Sequence, residues 1–324
     1  MSPRRPRILS GVQPSGKLHL GNYFGAIRQH IAFQDEGECF FFIADYHALT
    51  TIQDRRQLSE NVRGVALDYL ALGLDPEKAS FFRQSDIPEV TELAWILSTV
   101  TGVGLLERAH SYKDKLARGI TPSAGLFNYP VLMAADILIY RSNLVPVGQD
   151  QVQHIEMTRD MAGSFNGVYG KVFPLPEWRL DRAPTVPGTD GKKMSKSYGN
   201  TIEIFAEGKA LKDSVMRIVT DSTPVEAPKD PEKDSLFALY SLFADDDEKK
   251  ALAARYCAGG LGYGEVKKML IQRIDAHFAP ARARRKELEK HPSVLEVALR
   301  RGAERAGAEA KETMRLVREA TGLR

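Results

Sequence analysis

The run Cys39-Phe40-Phe41-Phe42-Ile43-Ala44 constrains this chain most, because it is of strand length and has no polar residue in it. A strand with one face in water alternates apolar and polar residues, whereas a continuous apolar run suits a parallel strand covered on both faces. Upstream lie a short apolar run at Arg7 to Ser10, a polar loop from Gly11 to Gly16, and helical periodicity from Leu20 to Phe33. Residues 7–45 therefore read as a strand, helix, strand unit with the loop at the first strand's carboxyl end. The rhythm repeats: a helix from about Arg56 to a left-handed stop at Gly73, a strand at Ala79 to Phe82, and a helix at Glu89 to Thr101. The expected fold is α/β, a doubly wound, Rossmann-like parallel sheet.

Further on, Val131 to Tyr140 reads as an apolar helix, Leu144 to Val147 as a short strand and Gln149 to Ala162 as a helix. Strand signals stop after Gly191 to Asn200, and residues 207–324 show helical patterns broken at Pro224 to Asp234 and at Gly259 to Gly264. A length of 324 residues exceeds one comfortable core. The expected domains are 1–200, with a helical insertion around 105–130, and a helical 201–324. The composition, 43% hydrophobic and 27% charged, excludes a disordered chain, a collagen and a disulfide miniprotein. Its longest apolar runs fall short of a membrane span, and no apolar stretch of secretory length follows the basic N-terminus. A cytoplasmic address is the expectation. Cys39 and Cys257 lack paired spacing and read as reduced packing residues.

Residues 281–324 carry 12 Lys and Arg against 7 Asp and Glu, within a whole-chain charge of +3. That end either faces nucleic acid or is a solvated amphipathic helix with i,i+4 pairs such as Arg305 with Glu309, and charge alone favours the helix.

Two segments carry chemistry. Gly11-Val12-Gln13-Pro14-Ser15-Gly16-Lys17-Leu18-His19-Leu20-Gly21-Asn22 lies where an open parallel sheet places its ligand, and the following helix offers free N–H groups to a polyphosphate. Taken alone it is equally a plain turn with a surface His19. Gly191-Lys192-Lys193-Met194-Ser195-Lys196-Ser197 puts three lysines in five residues on a pliable loop. Its letters Lys-Met-Ser-Lys-Ser have a chance probability on the order of 10^-4 in such a chain. We expect the two segments to converge around one nucleoside triphosphate.

Asp136 sits in the apolar run Leu132 to Tyr140. Facing inward, it must find a donor, since an unpaired buried charge costs several kcal/mol. Indole supplies one N–H and no acceptor, so such a carboxylate would prefer tryptophan to phenylalanine, which lacks the donor, and to tyrosine, whose hydroxyl sits elsewhere. Facing solvent or a basic residue, it would carry no such meaning.

The His-x-Gly-x signature at His19 to Asn22 and Lys-Met-Ser-Lys-Ser together resemble the signatures of class I aminoacyl-tRNA synthetases. Gly11 to Gly16 with Gly21-Asn22-Tyr23, Asp45-x-His47-Ala48, Met133 to Leu138 and Pro146-Val147-Gly148-Gln149-Asp150-Gln151 resemble the bacterial tryptophanyl branch of that class. The resemblance runs from about Ile8 to Asn200. It implies that Asp136 holds the indole nitrogen, that Tyr129, Gln151 and Gln13 hold the ammonium and carboxylate, and that Met133, His47, Val145, Val147 and Leu9 wall the ring. It implies an ATP site at Gln13, Pro14, Ser15, His19, Gly21, Asn22, Gly148, Asp150, Lys193, Met194, Ser195, Lys196 and Ser197. His19, Lys115, Lys193 and Lys196 would act catalytically. Taken singly, His47 also fits a satisfied core histidine, Tyr129 core packing and Lys115 a solvated helix lysine. Two departures stand out: Asn22 replaces the usual closing histidine, as in the tryptophan branch, and Leu9 stands where relatives often place phenylalanine.

The implied reaction is ATP-dependent activation of tryptophan to its adenylate with loss of pyrophosphate, then transfer to the terminal adenosine of tRNA. Mg2+ would accompany ATP. The tryptophan carboxylate is already ionised, so no general base is required. The resemblance also implies a homodimer with its interface around Leu105 to Tyr129, and no editing domain is expected. The alternatives are a tyrosyl enzyme of the same fold, a small-molecule adenylyltransferase independent of tRNA, and a non-catalytic nucleic-acid-binding module.

Overall fold

The computed structural model describes residues 5–109, 112, 123–180 and 185–324. Five parallel strands form one sheet in the order β3-β2-β1-β4-β5. They are β1 (Arg7–Val12), β2 (Glu38–Ile43), β3 (Ala79–Arg83), β4 (Leu144–Val147) and β5 (Glu177–Leu180). Leu9 pairs in register with Phe40, and Phe40 with Ser80. The continuous apolar run is thus the middle of three adjacent strands, and Cys39 through Ala44 are all buried. The strand order reverses direction between β1 and β4, which opens the crevice where such sheets bind ligands.

The structure departs from the expected elements in informative ways. β5 went unread because all four of its residues are exposed on an edge, so it has no buried stripe. The helix expected from Val131 begins at Ala124 and runs to Ile139, with the Ser123 hydroxyl accepting from Leu126 N at 3.1 Å. Pro130 lies inside it, where a sequence reading takes proline for a start. The helical stretch expected from Leu20 to Phe33 is interrupted by a π turn at Tyr23–Ile27. Gly73 has φ of 112° and ends the helix Arg55–Leu72 as expected.

Among the described residues the chain forms two compact units, and the division differs from one at residue 200. The first comprises Met1–Gly16, His30–Asp181 and His291–Arg324; the second comprises Lys17–Gln29 and Arg182–Lys290. The core of the first unit holds Leu9, Phe40, Phe42 and Phe82 from the sheet with Ile137 and Leu138 from the helix Ala124–Ile139.

The last helix, Pro292–Thr321, belongs to the first unit and crosses β3. Gly302 makes the crossing possible, since a Cβ there would stand 1.9 Å from the Phe81 carbonyl oxygen. The expected Arg305–Glu309 pair does not account for this helix. Arg305 donates instead to the carbonyls of Pro76 and Ala79, and Glu309 accepts from Arg7 at 2.7 Å. Arg318 likewise pairs with Glu92. The basic C-terminal end is therefore engaged in part with its own sheet unit. In the second unit, Tyr23, Phe24, Phe243, His277 and Phe278 form an aromatic cluster tying the signature helix to the helix Tyr263–Lys290. No helix among the described residues is long and apolar enough to cross a membrane.

Candidate active site

In the first unit the carboxyl ends of β2 and β3 and the helix Ala124–Ile139 converge on one buried carboxylate. Asp136 is 2% exposed, so it faces inward. His47, in the turn after β2, places Nε2 2.8 Å from Oδ2. Gln84, just past β3, donates through Nε2 to Oδ1 at 2.8 Å and to Oδ2 at 3.0 Å. Burial pushes the Asp136 carboxyl up, and the His47 and Gln84 hydrogen bonds pull it back toward the ionised form. Asp45 buttresses the same corner by accepting from Ser85 N at 3.0 Å and Ser85 Oγ at 2.5 Å.

The residues expected to wall a ring share this unit. Leu9, Val145 and Val147 are buried in its core cluster, and Met133 packs against that cluster half-buried. Leu9 packs in a core cluster that includes Phe40 and Phe42 but is itself no stacking partner. Gly11 is required here, because a Cβ would meet the Phe42 ring at 2.6 Å. The Tyr129 hydroxyl is hydrogen-bonded to the buried His154. Gln151 donates to Asp150 Oδ2 at 2.9 Å in the turn after β4, and a Cβ on Gly148 would crowd Asp150 Oδ1 at 2.7 Å. Gln13 and Ser15 are exposed, and Pro14 buried, on the loop after β1. Lys115 lies outside the described residues, as does part of the insertion expected around 105–130.

The second unit gathers the cationic elements. The Asn22 carboxamide accepts from His19 N at 3.1 Å and caps the short helix that begins at Leu20. A Cβ on Gly21 would meet the His19 ring at 3.0 Å and Met194 at 3.4 Å, so the signature and the lysine loop pack directly on each other. His19 is held neutral, its pKa lowered to about 4 by burial and then by the charge of Lys196. Strand-like bonds extend this contact, with Leu20 N donating to the Ile202 carbonyl at 3.0 Å. The structure thus brings His19, Gly21, Asn22, Met194 and Lys196 together, while Gln13, Pro14 and Ser15 belong to the first unit.

The lysine loop is a closed hairpin. Met194 N donates to the Val186 carbonyl at 2.9 Å, and buried Met194 anchors it. Asn200, 2% exposed, fastens both arms: its Oδ1 accepts from Ser195 N at 2.8 Å, and its Nδ2 donates to Asp190 Oδ1 at 2.6 Å and to the Lys193 carbonyl at 3.2 Å. Lys193 is exposed and Lys196 half-buried on this frame. The Asn200 bond holds the Asp190 carboxyl below its usual range.

Gln84, His154 and Asn200 were missed in the sequence. Asn200 is adjacent to a recognised motif and Gln84 closes a strand, but a lone amide or histidine carries no periodic signal.

A family model described as tRNA synthetases class I (W and Y) matches residues 1–279. A tryptophan--tRNA ligase of Rhodopirellula baltica is 57% identical over 319 residues, covering 98% of this chain and 100% of the relative. One of Fusobacterium nucleatum is 53% identical, covering 98% of each chain. The crystal structure of a tryptophanyl-tRNA synthetase from Campylobacter jejuni complexed with ADP and tryptophan superimposes with a TM-score of 0.93 at 51% identity, covering 98% of this chain and 100% of that one.

Proposed function

We infer the function from the premise that the chain belongs to the family of class I tRNA synthetases for tryptophan and tyrosine. It is an aminoacyl-tRNA ligase that joins tryptophan to tRNA with ATP as the energy-supplying substrate. The observation that carries tryptophan over tyrosine in this chain is the buried Asp136 carboxylate, which can accept an indole N–H.

The roles of individual residues are our proposal. The tryptophan carboxylate attacks the α-phosphorus of ATP and pyrophosphate leaves; the nucleophile is ionised at neutral pH, so the protein supplies placement and countercharge. Lys193 and Lys196 supply the countercharge to the phosphates, and lysine suits a point charge on a pliable loop. His19, neutral and buried beside Lys196, donates a hydrogen bond there without adding charge. Asp136 takes the indole nitrogen, and Tyr129, Gln151 and Gln13 the ammonium and carboxylate. Gly148 and Asp150 meet the ribose. A ribose hydroxyl of the tRNA's last adenosine then attacks the activated carbonyl.

No group of three or more His, Cys, Asp or Glu side chains among the described residues is arranged to hold a metal ion. We assign Mg2+ to the phosphates of ATP, where it would add countercharge. Exposed Lys209, Lys212, Arg217 and Lys268 support the helical residues between 208 and 290 as the surface for the tRNA anticodon arm. Exposed Trp95 and Val103 support a homodimer through the neighbourhood of Leu105. The setting is cytoplasmic.

The deciding experiment is exchange of labelled pyrophosphate into ATP with tryptophan or tyrosine as the sole amino acid. Exchange is expected with tryptophan and Mg2+; exchange with tyrosine alone would overturn the assignment.

A further inference from the structure

Asp136 is desolvated, and a desolvated carboxyl left to itself protonates and turns from acceptor to donor. What holds it as an acceptor is legible in the partners of Gln84, which is 1% exposed. An amide's oxygen and nitrogen are alike in shape, so only partners fix its orientation. Two backbone N–H groups point at one end of Gln84, Tyr46 N at 3.1 Å and His47 N at 3.4 Å. A backbone N–H can only donate, so that end is the oxygen. The opposite end is therefore the NH2 group, and it bridges the two oxygens of Asp136 at 2.8 and 3.0 Å.

The count of lone pairs then singles out one atom. Oδ2 faces both Gln84 Nε2 at 3.0 Å and His47 Nε2 at 2.8 Å, whereas among the described residues Oδ1 meets Gln84 Nε2 only. Each carboxylate oxygen accepts two hydrogen bonds, so Oδ1 has one further place. The orientation is inherited from the main chain of the turn after β2: reversing Gln84 would set its NH2 group against two N–H donors, and although Tyr46 N would keep Asp45 Oδ1 at 3.0 Å, His47 N would lose its acceptor.

We propose that Gln84 is a specificity-determining positioning residue: by donating to both oxygens of Asp136 it holds the carboxylate as an acceptor whose remaining Oδ1 lone pair selects amino acids carrying a ring N–H. The proposal rests on the assignment of Asp136 to the indole. A purely structural Gln84, cross-linking the end of β3 to its neighbours, would affect all amino acids alike.

The test uses the benzothiophene isostere of tryptophan, in which sulfur replaces the N–H and shape is nearly kept. The measured quantity is the ratio of kcat/KM for tryptophan to that for the isostere in pyrophosphate exchange, which is independent of how much of a variant is active. The wild-type ratio is expected above about 100, because the buried acceptor is left unpaired by the isostere. Asp136→Leu is expected to bring it near one. Gln84→Met, which removes the donor, and Gln84→Glu, which keeps the shape and the acceptor for the two N–H groups, are each expected to lower the ratio at least about tenfold with KM for ATP unchanged. If Asp136→Leu leaves the ratio at its wild-type value, the indole assignment fails and the proposal with it. If Asp136→Leu abolishes discrimination while both Gln84 variants lose kcat/KM equally for the two amino acids, only the Gln84 proposal is overturned.

Discussion

Gly188 and Asn200 are fitted to each other so closely that a Cβ on Gly188 would stand 2.2 Å from Asn200 Nδ2. The fit matters because Asn200 fastens Ser195, Lys193 and Asp190 in one hairpin. Gly188→Ala must expel the buried carboxamide and free the hairpin's arms. Expected is a fall in pyrophosphate exchange of at least about tenfold, since misplaced countercharge acts on the transition state. Tryptophan binding, followed by fluorescence titration of an active-site probe or by calorimetry, should change less than about twofold. An unchanged exchange rate would show that the hairpin's frame is dispensable.

Removing one of the charges it carries separates frame from function. Lys196→Ala is expected to lower adenylate formation at least about 100-fold, measured by single-turnover kinetics, with tryptophan affinity little changed. The same substitution removes a positive neighbour of His19, so the His19 ring should protonate more readily, observable by its NMR titration.

A third expectation concerns acid stability. Buried His30 bridges Ser10 Oγ at 2.9 Å and Tyr69 Oη at 3.0 Å, and burial lowers its pKa to about 4. The unfolded chain binds a proton near the ordinary value of about 6.5, before the native state does. Stability is therefore full above that value and declines as pH falls from about 6.5 to 4, by up to about 3 kcal/mol for His30. His19 titrates in the same direction over the same window, so the comparison is between wild type and His30→Gln in urea unfolding at pH 7, 5.5 and 4.5. The variant should show a shallower loss; equal slopes would remove His30 as a cause.

A fourth expectation lies far from the lysines. Gly302→Ala would place a methyl 1.9 Å from the Phe81 carbonyl oxygen, where only backbone movement gives relief. Overpacking of this kind costs about 1–3 kcal/mol, and a melting temperature lower by roughly 5 °C is expected from calorimetry. Tm within a degree of wild type would mean that the last helix is loosely seated on β3.

The two recognised motifs illustrate how far the sequence reached. The residues from Lys193 to Ser197 were identifiable by composition and spacing, those from His19 to Asn22 only through the resemblance to class I synthetases, and Asp136 by being a carboxylate in an apolar run. Asp136 had two open readings, solvent or interior, and its 2% exposure decides between them. Its donors were not legible, because His47 and Gln84 come from the ends of different strands and pair with it across 89 and 52 residues.

The sequence by itself determined what is local: four of the five strands, the stop at Gly73, the loop after β1 and the pliable lysine loop, since apolar period and turn chemistry act over a few residues. Tertiary structure alone decided that the first signature helix is grouped with Arg182–Lys290, that the last helix returns to β3, and that Arg305 takes carbonyls of Pro76 and Ala79 in place of Glu309. These are choices among partners distant in the chain. Close packing and the requirement that buried polar groups be bonded settle them, and neither leaves a mark in the spacing of nearby residues.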